Sequence, residues 1–426
     1  MVFMALPTLL SVNNYYYKRG GAEGVFLSHN ALFEQSGGTV VPFSMQHPDN
    51  LESSWDKYFV DELEYGAGYS LLQKAWRVPK TIYSFEARKK LERLLDKSQP
   101  DICHAHNIYH HISPSILGVL NKRKIPTVIT LHDLKLACPA YKMLSPNGIC
   151  EQCKGGRQIN VVRNSCIKGS RLLSSIVYLE SKLHSVLQTY ERYVDRFVVP
   201  SQFYIDKFVE WGISRERMVY IPNFSEFESS SPETPGSTIT YFGRLGHEKG
   251  IATLIRAAAL AGVSIRIIGE GPDDQSFVAL AKELGAQVEF CGYLSGQYLK
   301  DKLRQSKAVV LPSEWYENAP LSILEAYSLE IPVLGANIGG IPEMIKEGVS
   351  GATFASADVQ QLADKLSWID EMGSESAHAM GVAGRALVDE KFTRQKYMSR
   401  ILALYAELGV DVSGLDNAPI RSALAT

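Results

Sequence analysis

Pro312-Ser313-Glu314-Trp315-Tyr316-Glu317-Asn318-Ala319-Pro320-Leu321-Ser322-Ile323-Leu324-Glu325 closes one apolar run, Ala308–Leu311, and opens another. A short buried run, a polar loop and an apolar helix make the β-loop-α unit of a parallel sheet. Pro320 suits the first helical position, where its missing N–H costs nothing. Glu317 then lies in the loop, and Glu325 lies roughly a turn and a half inside the helix. Free backbone N–H groups at the helix start suit an anion, and the two carboxylates suit hydroxyls around it. A phosphorylated, hydroxyl-rich ligand such as a sugar nucleotide needs both.

The same alternation extends in both directions. Strands are expected at Thr8–Val12, Thr39–Phe43, Ile102–Ala105, Thr127–Leu131 and Arg196–Val199. A second set is expected at Ser237–Phe242, Ser264–Ile268, Gln287–Phe290, Ala308–Leu311 and Pro332–Gly335. Their Val/Ile/Leu runs fit parallel strands covered on both faces, and the intervening segments fit helices. The pattern occurs twice, as a chain of 426 residues requires, because a single core rarely exceeds about 250–300 residues. The seam is rich in Ser, Glu and Pro. The expected division is a first doubly wound domain over 1–223, a linker over 224–238 and a second domain over 239–392. A last helix over 393–408 is free to pack back on the first domain, and a loose tail follows over 409–426. The apolar start, Met1–Leu10, reads as the first buried strand rather than a cleaved leader, for it lacks a basic beginning. No uncharged apolar run reaches the about 18 residues that a membrane span needs.

Charge divides the chain as well. Residues 1–223 carry 27 Lys and Arg against 20 Asp and Glu, whereas residues 224–426 carry 17 against 26. The segment Tyr83–Lys97 concentrates Arg88, Lys89, Lys90, Arg93 and Lys97, which suits an anionic lipid surface or a lipid-linked phosphate, or simply a solvated helix face. No basic-aromatic motif accompanies it, so nucleic acid is not an expected partner.

In open α/β sheets ligands bind beyond the carboxyl ends of the strands, and the chemistry-bearing residues fall there. Gly20 and Gly21 follow the first strand and open a helix, where a backbone can approach a phosphate. Gly243, Arg244 and Lys249 follow the first strand of the second half, and two cations in a glycine-punctuated loop fit a diphosphate. Gly271, in Gly269-Glu270-Gly271-Pro272, follows the next strand. His132 ends the Thr127 strand, while His104, His106 and Asn107 lie at the end of the Ile102 strand. There imidazoles can donate to sugar hydroxyls or a leaving oxygen. Cys150-Glu-Gln-Cys153, with Cys138 and Cys166 outside it, has the look of a zinc knuckle. Reduced thiols and disulfides are the alternatives. Cys103 and Cys291 read as core residues.

Taken in order, Arg19-Gly20-Gly21-Ala22-Glu23, Thr130-Leu131-His132-Asp133, Phe242-Gly243-Arg244 with Lys249-Gly250, Ile268-Gly269-Glu270-Gly271-Pro272, the Glu317/Glu325 pair and Gly339-Gly340-Ile341-Pro342-Glu343 resemble the family-4 retaining glycosyltransferases of the GT-B fold. The resemblance implies two Rossmann-like domains facing a central cleft, with donor bound mainly by the second domain and acceptor by the first. It gives Arg244 and Lys249 the donor diphosphate, Glu325 the ribose hydroxyls, and Glu317 and His132 the donor sugar. Backbone N–H groups from Ala319 to Leu321 and Ser322, and the glycines Gly20, Gly21, Gly243 and Gly271, line the donor. His106 and Asn107 lie on the acceptor side. No cofactor is required for catalysis, and the four-cysteine insert departs from the simplest members. The expected activity is transfer of a hexosyl group from a nucleotide sugar to a glycan or lipid-linked acceptor in surface or exported polysaccharide synthesis. The expected location is cytoplasmic, peripheral at the inner membrane face.

Three other readings share parts of this pattern. A nucleotide-sugar epimerase of the same fold would need no separate acceptor. A dinucleotide-dependent oxidoreductase would need a Gly-x-Gly-x-x-Gly after the first strand, which is absent. A zinc-organised interaction protein with an inactive cleft would not need Glu317, Glu325, Arg244 and Lys249 together.

Overall fold

A computed structural model describes residues 6–62, 79–228, 230 and 236–415. The start of the Met1–Leu10 stretch, part of the linker and the tail from 416 lie outside the described residues. The first half builds a six-stranded parallel sheet from β1 (Thr8–Val12), β2 (Thr39–Phe43), β3 (Ile102–Ala105), β4 (Thr127–Thr130), β5 (Arg196–Val199) and β6 (Met218–Tyr220), in the order β2-β1-β3-β4-β5-β6. The second half builds another from β7 (Thr238–Phe242), β8 (Ile265–Ile268), β9 (Val288–Phe290), β10 (Ser306–Leu311), β11 (Val333–Ala336) and β12 (Gly351–Phe354), in the order β9-β8-β7-β10-β11-β12. The second order is that of a doubly wound dinucleotide fold. Helices cover both faces, so the central strands are buried throughout, as in β3, β4, β8 and β11.

Strand order fixes where ligands can enter. In each sheet the winding reverses between two neighbouring strands, which leaves a crevice at their carboxyl ends. In the first sheet these are β1 and β3, paired through Leu9 with Ile102, and the crevice is edged by Asn13 and His106. In the second they are β7 and β10, edged by Gly243 and Pro312. Helix α1 (Gly21–Gln35) leaves the first crevice.

The chain crosses between the domains twice, side by side: the Ser225 N–H donates to the Phe392 carbonyl at 3.2 Å. Beyond the second crossing a helix over Arg394–Glu407 completes the first domain. Its Tyr397, Met398, Ile401, Leu402 and Tyr405 are buried in one cluster with Leu9, Phe33, Val128 and Val198. The cluster also takes Val410 and Leu415, so the tail is not loose at its start: its apolar side chains have a surface to cover. The tyrosine hydroxyls meet buried imidazoles. The Tyr405 hydroxyl lies 2.7 Å from His104 Nδ1 and 3.2 Å from His29 Nε2, and the Tyr397 hydroxyl lies 3.0 Å from His29 Nδ1.

Tyr405→Phe keeps the ring and strands two buried imidazole nitrogens, so it should lower stability by about 1–3 kcal/mol. Thermal or urea denaturation reads this, and a native-like midpoint would show that the hydroxyl carries no such role.

Candidate active site

Glu317 stands at the centre of the second crevice. Lys249 Nζ is 2.7 Å from its Oε1, and the Ser313 hydroxyl donates to the same oxygen at 2.7 Å. Burial alone would raise this carboxyl. The Lys249 charge, with hydrogen bonds from Lys249 and Ser313, instead holds it below the usual carboxylate range. Lys249 also lies 5.0 Å from the centre of the Trp315 ring, which fixes its ammonium from a second side. Gly250, at φ +70°, lets this turn pass against the Pro312 carbonyl, where a Cβ would come within 1.8 Å of the oxygen.

Arg244 lies in the same crevice but is not bare. It pairs with Glu248, a buried carboxylate one turn along. Lys142 reaches the same Glu248 from the first domain, at 3.6 Å. Burial and the neighbouring Arg244 and Lys249 charges lower the Lys142 ammonium. Three cations thus converge on two carboxylates at the mouth of the second sheet, one of them supplied across the cleft. Sequence reasoning missed Lys142 and Glu248. Lys142 lies in the insert, far in sequence from Arg244, and Glu248 reads as an ordinary charge between His247 and Lys249.

The loop that holds Glu317 also binds the domains together. Asn318 Nδ2 donates to the Leu131 carbonyl at 2.9 Å, and its Oδ1 accepts from the Ser201 hydroxyl at 2.7 Å. The Tyr316 carbonyl accepts from the Tyr204 hydroxyl at 3.1 Å, and the Tyr316 hydroxyl donates to Glu151 at 2.9 Å. Glu343 accepts the N–H groups of Gln202 and Phe203 at the start of a first-domain helix, Gln202–Glu210. Asn318 Nδ2 also reaches the carbonyl of His132, the next residue, at 3.4 Å, so it ties the His132 segment to the loop that holds Glu317.

The glycines expected to line the donor lie at two places in the cleft. Helix α6 (Leu321–Ser328) starts at Pro320 with no side-chain cap, and buried Ala319 precedes it. A Cβ on Gly21 would lie 3.7 Å from the Leu321 side chain, so the Gly20-Gly21 turn and the start of α6 confront each other across the cleft. Glu23 bends back toward the Gly20 N–H, and burial raises its carboxyl. Gly271 packs flat on the loop carrying Gly243 and Arg244, where a Cβ would meet the Leu245 carbonyl at 1.9 Å.

Glu325 lies further along α6, half-buried and without a hydrogen-bond partner among the described residues. Burial and the adjacent Glu226 charge push its carboxyl up to about 7, against Lys18 and Lys300. Glu226 itself holds Lys18 at 2.9 Å.

On the first-domain side His132 Nε2 meets His106 Nδ1 at 2.7 Å, and the two rings stack at 5.0 Å. Burial lowers His132 to about 4, so the imidazole is neutral near pH 7. His106 is fully buried and lies against His132. His104 is fully buried too, between Thr130 and Tyr405. The Asn107 backbone is tied to Asn13 and Asn14. The four insert cysteines Cys138, Cys150, Cys153 and Cys166 are free thiols that gather within electrostatic reach of one another. Among the described residues no three His, Cys, Asp or Glu side chains are set as metal ligands.

The raised Glu325 value has a stability consequence with a definite sign. The folded state keeps its proton up to about 7, against an ordinary value of 4.5. The stabilising contribution is full below the ordinary value and is lost as pH rises through the folded one. Glu325→Gln should therefore flatten the decline of melting temperature across that window and exceed the native protein above it. An unchanged pH profile in scanning calorimetry would count against a buried, proton-holding Glu325.

Two family models match the chain: "Glycosyltransferase Family 4" over residues 19–226 and "Glycosyl transferases group 1" over residues 223–387. Glycogen synthase of Mycobacterium tuberculosis is 25% identical over 345 residues, covering 77% of this chain and 74% of the relative. Sucrose-phosphate synthase from Thermosynechococcus elongatus superposes with a TM-score of 0.67 at 18% identity, over 95% of this chain and 99% of the other. HepE of Anabaena, solved in complex with UDP-glucose, superposes with a TM-score of 0.62 at 17% identity, over 94% and 99%. The matched segments, the two sheets and the cleft between them agree: this chain is a family-4 glycosyltransferase of the GT-B fold.

Proposed function

We propose that the protein moves a hexosyl group, with retention of anomeric configuration, from a nucleoside-diphosphate sugar to a hydroxyl of a glycan or lipid-linked acceptor in surface or exported polysaccharide synthesis. The observation that carries this reading is the convergence of Arg244, Lys249 and Lys142 at the crevice where Glu317 is held. A diphosphate in that crevice meets cations from both domains and the uncapped start of α6. Breaking the bond from the anomeric carbon to the diphosphate leaves negative charge on oxygen. The cations and the helix start are preorganised to stabilise that charge as it develops. The leaving phosphate oxygen then takes the proton of the attacking acceptor hydroxyl on the same face. Glu317 accepts a hydroxyl of the donor sugar and Glu325 the ribose hydroxyls, both as hydrogen-bond acceptors rather than proton-transfer groups. Neutral His132, oriented by His106, donates to the sugar.

A panel of nucleoside-diphosphate sugars scored by thermal stabilisation identifies the donor, because a ligand that binds the native state raises its melting temperature. Lys249→Ala should then lower turnover by about 2–4 kcal/mol of transition-state stabilisation. Near-native turnover would remove Lys249 from the site. NMR of the product should show the donor's anomeric configuration, and an inverted product would refute the same-face step.

A further inference from the structure

Helix α3, Arg171–Val186, turns three polar side chains inward with one valine and leaves large apolar ones facing out. Its buried residues are Ser174, Val177, Glu180 and His184. Leu172 is 73% exposed, Leu179 52% and Val186 67%. These three recur every seven residues and so share one face of the helix, with half-buried Ile176 and Leu183 in the turns between. A surface helix of a globular domain ordinarily presents the opposite face to water.

Polar bonds hold the inversion in place. Glu180 takes Lys135 at 2.9 Å and His110 at 3.2 Å. His184 Nε2 donates to the Ile82 carbonyl at 2.9 Å, and the Ser174 hydroxyl accepts the Ile167 N–H at 3.0 Å. Rolling the helix to hide its leucines would strand a buried carboxylate, at far greater cost.

Along this part of the chain the exposed charge is basic. Between residues 152 and 190 Glu180 is the only acid, and it is buried, whereas the same stretch carries six Lys and Arg. Arg163, Lys168, Arg171 and Lys182 are exposed and enter no ion pair among the described residues. The patch continues onto the basic helix α2 (Phe85–Ser98). The Tyr83 ring stacks on His184 at 6.5 Å and lies 5.1 Å from Phe85, which is 74% exposed.

We propose that this face docks on an anionic phospholipid bilayer. Leu172, Leu179, Val186 and Phe85 enter the headgroup boundary, and the surrounding lysines and arginines meet lipid phosphates. A second copy of the chain fits the face less well. A helix-pairing seam needs about three to four heptads and complementary flanking charges. Here there are two heptads, and the flanking acid Glu180 is turned inward. This docking stands independently of the donor and acceptor chemistry. It would, however, set the membrane beside the Lys135 segment that follows His132.

Flotation of the full-length protein tests this, with vesicles of phosphatidylcholine alone and of phosphatidylcholine with about 30% phosphatidylglycerol. The native protein should float with the anionic vesicles, less so at high salt, and remain unbound with the neutral ones. Leu172→Ser combined with Leu179→Ser should cut partitioning about ten-fold or more while leaving the melting temperature unchanged, because both side chains face water. Arg171→Glu with Lys182→Glu should do the same. The proposal is overturned if the native protein floats with neither vesicle or equally with both, or if the leucine variant floats like the native protein. It is also overturned if the leucine changes abolish a concentration-dependent dimer in sedimentation velocity while vesicle binding is absent.

Discussion

Glu317 is a carboxylate withdrawn from water, and it stays ionised because Lys249 and Ser313 meet one of its oxygens. That pair ties the loop after β7 to the loop after β10, the two edges of the second crevice. Taking either charge away would leave the other uncompensated in a dry site. The neighbouring Asn318 carries the constraint to the first domain by bonding Leu131 and Ser201. One stretch of loop therefore holds Lys249, places a carboxylate beside it and ties down the backbone at Leu131 and His132. The chemistry and the closed arrangement of the domains rest on the same few side chains.

The first domain answers with a different device. Its crevice is backed by four imidazoles, His29, His104, His106 and His132, in successive ring contact at 4.6, 5.0 and 5.0 Å. Burial lowers all four, so they act as neutral hydrogen-bonding groups. The column starts at the tyrosines of the last helix and ends at the cleft. Tyr405, from the helix after the second crossing, is thus linked through the column to His132 at the cleft.

Much of this was legible in the residues because parallel strands are short apolar runs with little else to become. The ten expected strands all occur, with ends displaced by two residues at most. Among the described residues four further strands occur: Met218–Tyr220 and Gly351–Phe354 in the large sheets, and Leu144–Ser145 with Gly148–Ile149, a short antiparallel hairpin in the insert. The two in the large sheets are edge strands: Gly351–Phe354 begins with a glycine and contains a threonine, and Met218-Val219-Tyr220 is only three residues long. Lys249 and Glu317 were singled out separately, and the structure joins them. What spacing could not give was convergence from afar: Lys142 on Glu248, Asn318 on Leu131, Glu343 on Gln202. Such contacts depend on how the two domains face each other, which no local pattern encodes. The burial of His106 was hidden for a related reason. A strand-end histidine looks the same in sequence whether it faces the cleft or lies behind another ring. Helix α3 escaped notice because amphipathicity reveals a face but not which way that face turns.

The crossing at Ser225 and Phe392 has a consequence for biosynthesis. The first domain is translated first, yet it lacks Tyr397, Tyr405, Val410 and Leu415 until the segment after Thr393 emerges. The second domain is continuous and has every strand of its sheet well before that point. The order of completion is therefore the reverse of the order of synthesis. Until the last helix arrives, His29 and His104 and the apolar surface around Leu9 and Phe33 remain uncovered, and this is the interval in which the nascent chain is most exposed to misassociation.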